Sequence, residues 1–357
     1  MATLDVFKES TQQDILDELK AQGALVHIIA KGYDIDSPAA LQELCASGQI
    51  SKWFSVGDII YIPWTDYTGN TAAEYNFPFV VVHIGDVYDE NNVKHENGLW
   101  LMAMYAEPQE IQFDAPESIV VDLTEEPNAV SGWYYWGKSG SADTALNLSA
   151  GAAIPTTYDS VYKTGVNSKD VISYGYNRWS QSAYRQWLNS DAAKNEGWWT
   201  SQHLGDVAPV ATMTNRPGWL YGFTSEWKAI FKKVKVQTAT NTVTDGGVTD
   251  TTYDKFFLPS LEQMYGSPQA AGVEGDYWEY WKNETGLSSP SNGSSSDPND
   301  ARKIPSVAAP TGAAVYVRLR SAFRGYSHYV WNVTTGGYLY YYYAYGSYRC
   351  QPACVIY

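Results

Sequence analysis

Seven tyrosines stand between Tyr338 and Tyr348, in the C-terminal stretch GGYLYYYYAYGSYRCQPACVIY (Gly336–Tyr357). An exposed strand of this kind is an aggregation hazard unless the fold manages it. The window around it, residues 326–348, splits into two populations. Val330, Trp331, Val333, Gly337, Leu339 and Ala344 have the spacing of strand and turn positions that pack inward, so Trp331 and Leu339 are expected to be buried. The remaining positions are Tyr, Ser, His, Thr, Gly and Asn only. With 18% charged residues in the chain, about four are expected in such a window, and none is present. The second alphabet is that of a binding surface: Tyr gives broad amphipathic contact for two χ angles, while Ser, Gly and Asn adapt hydrogen bonds. Consecutive strand residues face opposite sides, so the Tyr340–Tyr343 run is expected to leave the sheet in a bulge or loop.

The rest of the chain is less unusual. Its 357 residues are 44% hydrophobic, enough for one large domain or two medium ones with a real core. The net charge of -15 repels a phosphate backbone and anionic membranes, so nucleic acid and membrane insertion are not expected. No apolar run approaches a membrane span. Three cysteines, Cys45, Cys350 and Cys354, are too few and uneven for a disulfide framework and point to a reducing compartment. The N-terminal MATLDVFKESTQQDILDELK lacks the basic and apolar regions of a signal peptide.

Along the chain, Ser10 and Gln13 have capping-box spacing ahead of Ile15, Leu16 and Leu19, with Gly23 as a stop, which predicts a short helix. A second is expected near 39–47. Residues 1–48 read as a helical attachment or oligomerisation segment, and 49–357 as one β-rich domain, α+β in class. Within it, 180–194 is expected to be helical, with Tyr184, Trp187 and Leu188 on one face and Ser180 or Ser182 as cap. Residues 237–254 read as a hairpin turning at Asp-Gly-Gly, and 286–300 as a loop insertion. Residues 313–323 alternate, with Val315, Val317 and Leu319 opposite Tyr316, Arg318 and Arg320, as in a half-buried strand.

Catalytic motifs are sparse. The histidines at 27, 83, 95, 203 and 328 lack metal-ligand spacing. There is no phosphate loop and no nucleophile elbow. Glu125–Glu126 read as solvated charge. Glu125–Asn128 contain the Glu-Pro-Asn of calcium-dependent lectins, but Trp331-Asn332 is followed by Val333 where those lectins continue with Asp, so the match is taken as chance. Cys350 and Cys354, four apart on one strand, share a face; they are either inert buried thiols or a redox or metal-binding pair.

The uncharged alphabet of the window also has a genetic property: Tyr, Ser, His, Thr, Gly and Asn are all reached from an Asn codon by changing adenines only. The ending VWNVTTGGYLYYYYAYGSYRCQPACVIY resembles the variable region of diversity-generating retroelement target proteins, which run from V-W-N-V through a hypervariable stretch to R-P-A-C-V-I. FSVGDII, SQSAYRQWLN, DKFFLPSLEQ and VRLRSAF resemble upstream segments of the same class. Gln351 stands where Arg is typical and Cys350 precedes it, which leaves the packing of the final strand open.

The resemblance implies a C-type lectin-like fold related to formylglycine-generating enzymes. It implies a non-catalytic protein whose variable region, about 321–348, contacts a ligand, without cofactor or metal. The implied contact residues are Tyr326, Ser327, His328, Tyr329, Asn332, Thr334, Thr335, Gly336, Tyr338, Tyr340, Tyr341, Tyr342, Tyr343, Tyr345, Gly346, Ser347 and Tyr348. The implied partner is a host or cell-surface protein or glycan receptor, bound by a phage tail-tip protein. Such a protein would sit in the virion, or in the bacterial cytoplasm before assembly, as a homo-oligomer such as a trimer among other tail proteins. Two other functions stay open: a copper oxidase of the formylglycine-generating type using Cys350 and Cys354, and a plain carbohydrate-binding lectin using Trp133, Trp136, Trp198 and Trp199.

Overall fold

The structure, a computed structural model, describes residues 37–115, 175–202, 206–242, 245–267, 270–284, 300–326 and 328–357, and the backbone of strands at 26–29, 32–35, 117–120, 132–138, 141–148 and 170–173. The architecture is mixed α and β, mostly sheet with short helices. A seven-stranded sheet has the order β1 (Val26–Ile29), β2 (Gly32–Ile35), β3 (Ile59–Asp66), β4 (Ala73–Tyr88), β5 (Lys94–Ala103), β18 (Ala353–Ile356) and β13 (Phe256–Phe257). Residues Phe77–Val82 of β4 are all buried, as an apolar run in a covered central strand must be. The chain's last strand enters this sheet between β5 and β13, pairing Cys354 with both Leu101 and Phe256.

A five-stranded sheet carries the tyrosine run, in the order β16 (Leu339–Tyr343), β15 (Tyr329–Val333), β14 (Val317–Ala322), β17 (Ser347–Cys350) and β6 (Ile111–Gln112). Strand β16 is therefore an edge. The remaining described strands pair two by two: β7 (Glu117–Val120) with β10 (Asp170–Ser173), β8 (Gly132–Lys138) with β9 (Ser141–Leu148), and β11 (Val234–Ala239) with β12 (Thr249–Asp254). The described helices are α1 (Pro38–Ala46), α2 (Ile50–Trp53), α3 (Ala183–Leu188), α4 (Ala211–Thr214), α5 (Ser225–Ile230), α6 (Leu261–Tyr265) and α7 (Glu279–Asn283).

One hydrophobic cluster joins both sheets to the helices, from Leu41 and Cys45 through Trp179 and Trp187 to Val330, Leu339 and Val355. Trp219 is a centre of it, with ring centroids 4.6 Å from Trp64, 5.7 Å from Trp187 and 6.0 Å from Phe256. Much of the aromatic content is thus structural.

The helix expected at 10–23 lies outside the described residues, as do 286–299 of the expected loop. The boundary expected at residue 48 moves: β1 and β2 belong to the large sheet, and α1 buries Leu41 and Cys45 in the common core. The helix expected over 180–194 is shorter. Ser182 caps it by accepting from the Arg185 amide at 3.2 Å. At its end the Asn189 side chain donates to Arg185 O at 3.0 Å and to Phe256 O of β13 at 2.8 Å and accepts from Lys255 N at 2.7 Å, tying the helix end to the start of β13. Strand β14 corrects a second expectation: all six residues are buried, Arg318 and Arg320 included.

Candidate ligand-binding surface

Strands β15 and β16 form a hairpin in unbroken register, with Val333 opposite Leu339, Asn332 opposite Tyr340, Trp331 opposite Tyr341, Val330 opposite Tyr342 and Tyr329 opposite Tyr343. The expected bulge is absent. Position at the sheet edge replaces it: both faces of β16 keep partial access to solvent, so successive tyrosines can all be partly exposed. Tyr340 is 40% exposed, and Tyr341, Tyr342 and Tyr343 are half-buried. At the turn, Gly337 sits at φ 79°, a left-handed conformation that a side chain would strain.

The two faces carry different aromatic groups. On one, Tyr341 meets Phe323 at 4.3 Å and Tyr329 at 5.0 Å, and Phe323 meets Trp331 at 5.2 Å. On the other, Tyr342 meets Tyr316 and Tyr348, each at 5.4 Å, and Tyr340 at 5.2 Å. Burial raises the hydroxyl pKa of Tyr341, Tyr342 and Tyr348, the Tyr316 hydrogen bond adding to it at Tyr342. These phenols stay neutral near pH 7.

The hairpin is held by its backbone. Arg318 donates from Nη1 to Val330 O and Tyr342 O, each at 3.3 Å, and from Nη2 to Tyr343 O at 2.9 Å and Gly346 O at 3.0 Å. Its guanidinium lies 4.5 Å from the Tyr348 ring centroid. Burial pulls the Arg318 pKa down to about 10, with Tyr184 and Tyr348 opposing, and the group stays charged at neutrality. Asn177 Nδ2 donates to Tyr326 O at 2.6 Å and Tyr329 O at 2.9 Å. Tyr265 OH donates to Gly337 O at 2.8 Å, Gln112 Nε2 to Tyr345 O at 2.9 Å, and Tyr184 OH to Tyr348 O. These hydrogen bonds all end on backbone carbonyls, whereas the guanidinium–ring contact depends on the Tyr348 side chain. Helix α6 sets Tyr265 in place through a capping box of Ser260 and Gln263, and Gln263 Oε1 also accepts from Arg320 at 2.6 Å.

Of the expected contact residues, Tyr340 and Thr335 are exposed. Tyr326, Tyr329, Gly336, Tyr338, Tyr341, Tyr342, Tyr343, Tyr345, Gly346, Ser347 and Tyr348 are half-buried. Ser327 lies outside the described residues. Three need correction: His328, Asn332 and Thr334 are buried. The His328 ring packs 5.3 Å from Tyr343, and Asn332 Oδ1 accepts from Arg318 at 2.7 Å. Val330, Val333, Leu339 and Ala344 are buried as expected, but Trp331 is half-buried on the aromatic face. Sequence reasoning missed Phe323, Tyr316 and Trp331 as parts of the surface. The alternation of Tyr316 with Val315 and Val317 carried a signal for one of them.

Cys350 and Cys354 do not share a strand. Gln351 and Pro352 intervene, and the two cysteines belong to different sheets. Both are buried, and burial raises both thiol pKa values, with Glu107 adding to the shift at Cys350. Gln351 fits its place, donating to Ala103 O and Met104 O at 3.0 Å each. Trp198 is buried with Nε1 donating to Met213 O, and Trp199 is half-buried. The side chains of Trp133 and Trp136, and residues Glu125–Asn128 and His203, lie outside what is described. Among the described residues, no group of three His, Cys, Asp or Glu could hold a metal, and no helix is long and apolar enough to cross a membrane.

Residues 157–357 match the family described as DUF6273, a domain of unknown function, and the chain belongs to that family. The match takes in the whole hairpin, Arg318, Asn177, Tyr184 and Tyr265; Gln112 precedes it. No curated protein and no solved structure matches the chain.

Proposed function

We propose that this DUF6273 chain is a non-catalytic ligand-binding protein whose tyrosine hairpin is a hypervariable surface rewritten by a diversity-generating retroelement. The observation that carries the reading is the anchoring. Arg318, Asn177, Tyr265, Gln112 and Tyr184 all bond to carbonyls of 326–348. Carbonyls are the same whatever the side chain, so the side chains can change while the hairpin keeps its place. The uncharged, adenine-derived alphabet supports the same reading, and rigid stacked tyrosines suit receptor contact at low entropic cost.

On this reading the fold is C-type lectin-like, and the protein recognises a host or cell-surface receptor as part of a phage tail tip. The attachment role falls to residues 1–25, since β1, β2 and α1 join the body. Burial of Cys350 and Cys354 in separate sheets favours binding over a copper oxidase that would need accessible sulfurs.

The flanking DNA tests the reading. A near-identical repeat differing from codons 326–348 only at adenines, beside a reverse transcriptase gene, is the expected finding. A replicon with neither would remove the retroelement from the account.

A further inference from the structure

The bonds between β15 and β16 fix which way the edge strand turns its main chain. Thr334 N donates to Tyr338 O at 2.9 Å, and Ala344 N donates to His328 O at 2.8 Å, one pair at each end of the hairpin register. Ladder bonds in an antiparallel pair skip alternate residues. The residues between those ends that bond to β15 are therefore Tyr340 and Tyr342. Leu339 and Tyr341 direct their N–H and C=O the other way, off the sheet. Strand β16 ends its sheet, so among the described residues no strand meets them. The strand is LYYYY, in unbroken register. It has no charge, no proline and no bulge, the devices that usually guard an edge.

One guard is present. Tyr340 and Tyr341 leave the strand on opposite faces, yet their rings stack with centroids 4.9 Å apart and planes within 5°. Strand β15 closes the inner side, so the rings meet across the outer edge. Tyr340 is 40% exposed, and an exposed side chain changes rotamer readily. Its rotation uncovers the Tyr341 N–H. The edge is thus closed to casual pairing and open to a partner that replaces the stack.

Charge selects the partner. The chain carries a net charge of -15, and residues 326–348 hold no Asp, Glu, Lys or Arg. A second copy would bring another -15, which opposes pairing of β16 with itself. A basic segment is drawn in by the same field. Side chains of an added strand alternate between the faces, so its Lys and Arg reach Tyr341 and Tyr329 on one and Tyr340 and Tyr342 on the other. The hairpin already holds one such contact, with the Arg318 guanidinium 4.5 Å from the Tyr348 ring centroid.

We propose that β16 takes up an extended, basic segment of a partner protein as a further strand, bonded to the main chain of Leu339 and Tyr341. This rests on the reading of the hairpin as a ligand-binding surface, and it names the partner's chemistry: polypeptide main chain, not glycan. Main-chain bonds are unaffected when side chains are rewritten, so they supply a shared affinity, and the tyrosines supply selection.

The test is selection of random linear peptides on the full chain, followed by affinity measurement with synthetic copies of the recovered binders. Binders should be net positive. Methylating their amide nitrogens at alternate residues should weaken binding about tenfold or more in one parity and less than about twofold in the other, because only one set of amides faces β16. Tyr341→Pro removes the outward N–H and leaves the bonds to β15, so it should fold and bind about tenfold more weakly or worse. Tyr341→Thr keeps the N–H and should lose less. The two methylated peptides decide the matter should Tyr341→Pro not fold. The proposal is overturned if no peptide is recovered, if binders are acidic, or if both methylation parities act alike. Glycan binding that Tyr340→Ser abolishes, with no peptide binding, overturns it while leaving the hairpin a ligand-binding surface. Peptide binding with the expected parity, in a chain whose DNA lacks the template repeat, supports it and removes only the retroelement.

Discussion

Arg318 and Asn332 stand opposite each other on β14 and β15, and the Arg318 Nη1–H donates to Asn332 Oδ1 across 2.7 Å. Both side chains are fully buried. Among the bonds Arg318 makes to the hairpin, this one alone goes to a side chain, so it divides replaceable positions from fixed ones.

Asn332 therefore belongs to the scaffold. Asn332→Ala should cost on the order of 2 kcal/mol, the penalty of leaving part of a buried charged donor unpaired. Arg318→Lys should cost more, about 3 kcal/mol, because one ammonium cannot span carbonyls on β15, β16 and the following turn. Urea denaturation of both variants gives the numbers. Losses below about 0.5 kcal/mol would mean that the hairpin stands without this clamp.

Thermal melts should grade the aromatic positions by contact. Tyr340→Ser should change stability by about 0.5 kcal/mol or less, as at surface sites. Tyr341→Ser should cost about 1 kcal/mol, because Tyr341 packs on Phe323 and Tyr329. Leu339→Ala, at a buried site, should cost about 2–5 kcal/mol. Equal losses at Tyr340 and Leu339 would place the run in the core.

The sequence carried the inward placing of Val330, Val333, Leu339 and Ala344 and the division of the window into two alphabets, but not the regular pairing of Tyr340–Tyr343. The inward set and the two alphabets rest on local periodicity, which a single chain displays. It did not carry what covers a strand. Alternation in 313–323 separates Val317 and Leu319 from Arg318 and Arg320, but burial of the arginines depends on carbonyls brought from β15 and β16 and from Leu258 and Glu274. Trp331 was misplaced for a related reason: near the turn its face is covered, at Val333 and Leu339, while two residues further on it opens to solvent. The expected bulge assumed one covered face, and an edge strand with two half-open faces removed the need for it. Cys350 and Cys354 parted because Pro352 has no N–H for a ladder and the chain changes sheets there.

Burial of all three cysteines predicts slow chemistry. Native protein should show no rapid reaction with a thiol reagent at neutral pH, and all three should react after unfolding in guanidinium. Burial raises the pKa of each thiol, Cys45 to about 12, so the folded protein holds almost no thiolate near pH 7. Reaction of Cys350 or Cys354 within seconds would contradict the burial and revive the oxidase.

Glu107 should give the chain a pH-dependent stability that can be isolated. Its carboxyl is fully buried, with Oε2 accepting from the Gln109 amide and Oε1 unpaired. Burial raises its pKa well above the ordinary value, despite opposing contributions from the Gln109 amide, Arg216 and Arg349. The folded state thus keeps a proton that the unfolded chain loses near pH 4.3. Above that pH the folded state binds more protons than the unfolded one, so stability falls as pH rises, by up to about 1.4 kcal/mol per pH unit, until the folded carboxyl itself titrates. Glu107→Gln has no such proton. Glu274 and Asp254 are raised in the same sense, again first by burial, so the wild-type profile alone mixes several groups. The difference between variant and wild type, from urea denaturation across acid to neutral pH, removes them. It should grow in favour of Glu107→Gln as pH rises and then level off. A flat difference would mean that Glu107 is already ionised in the fold.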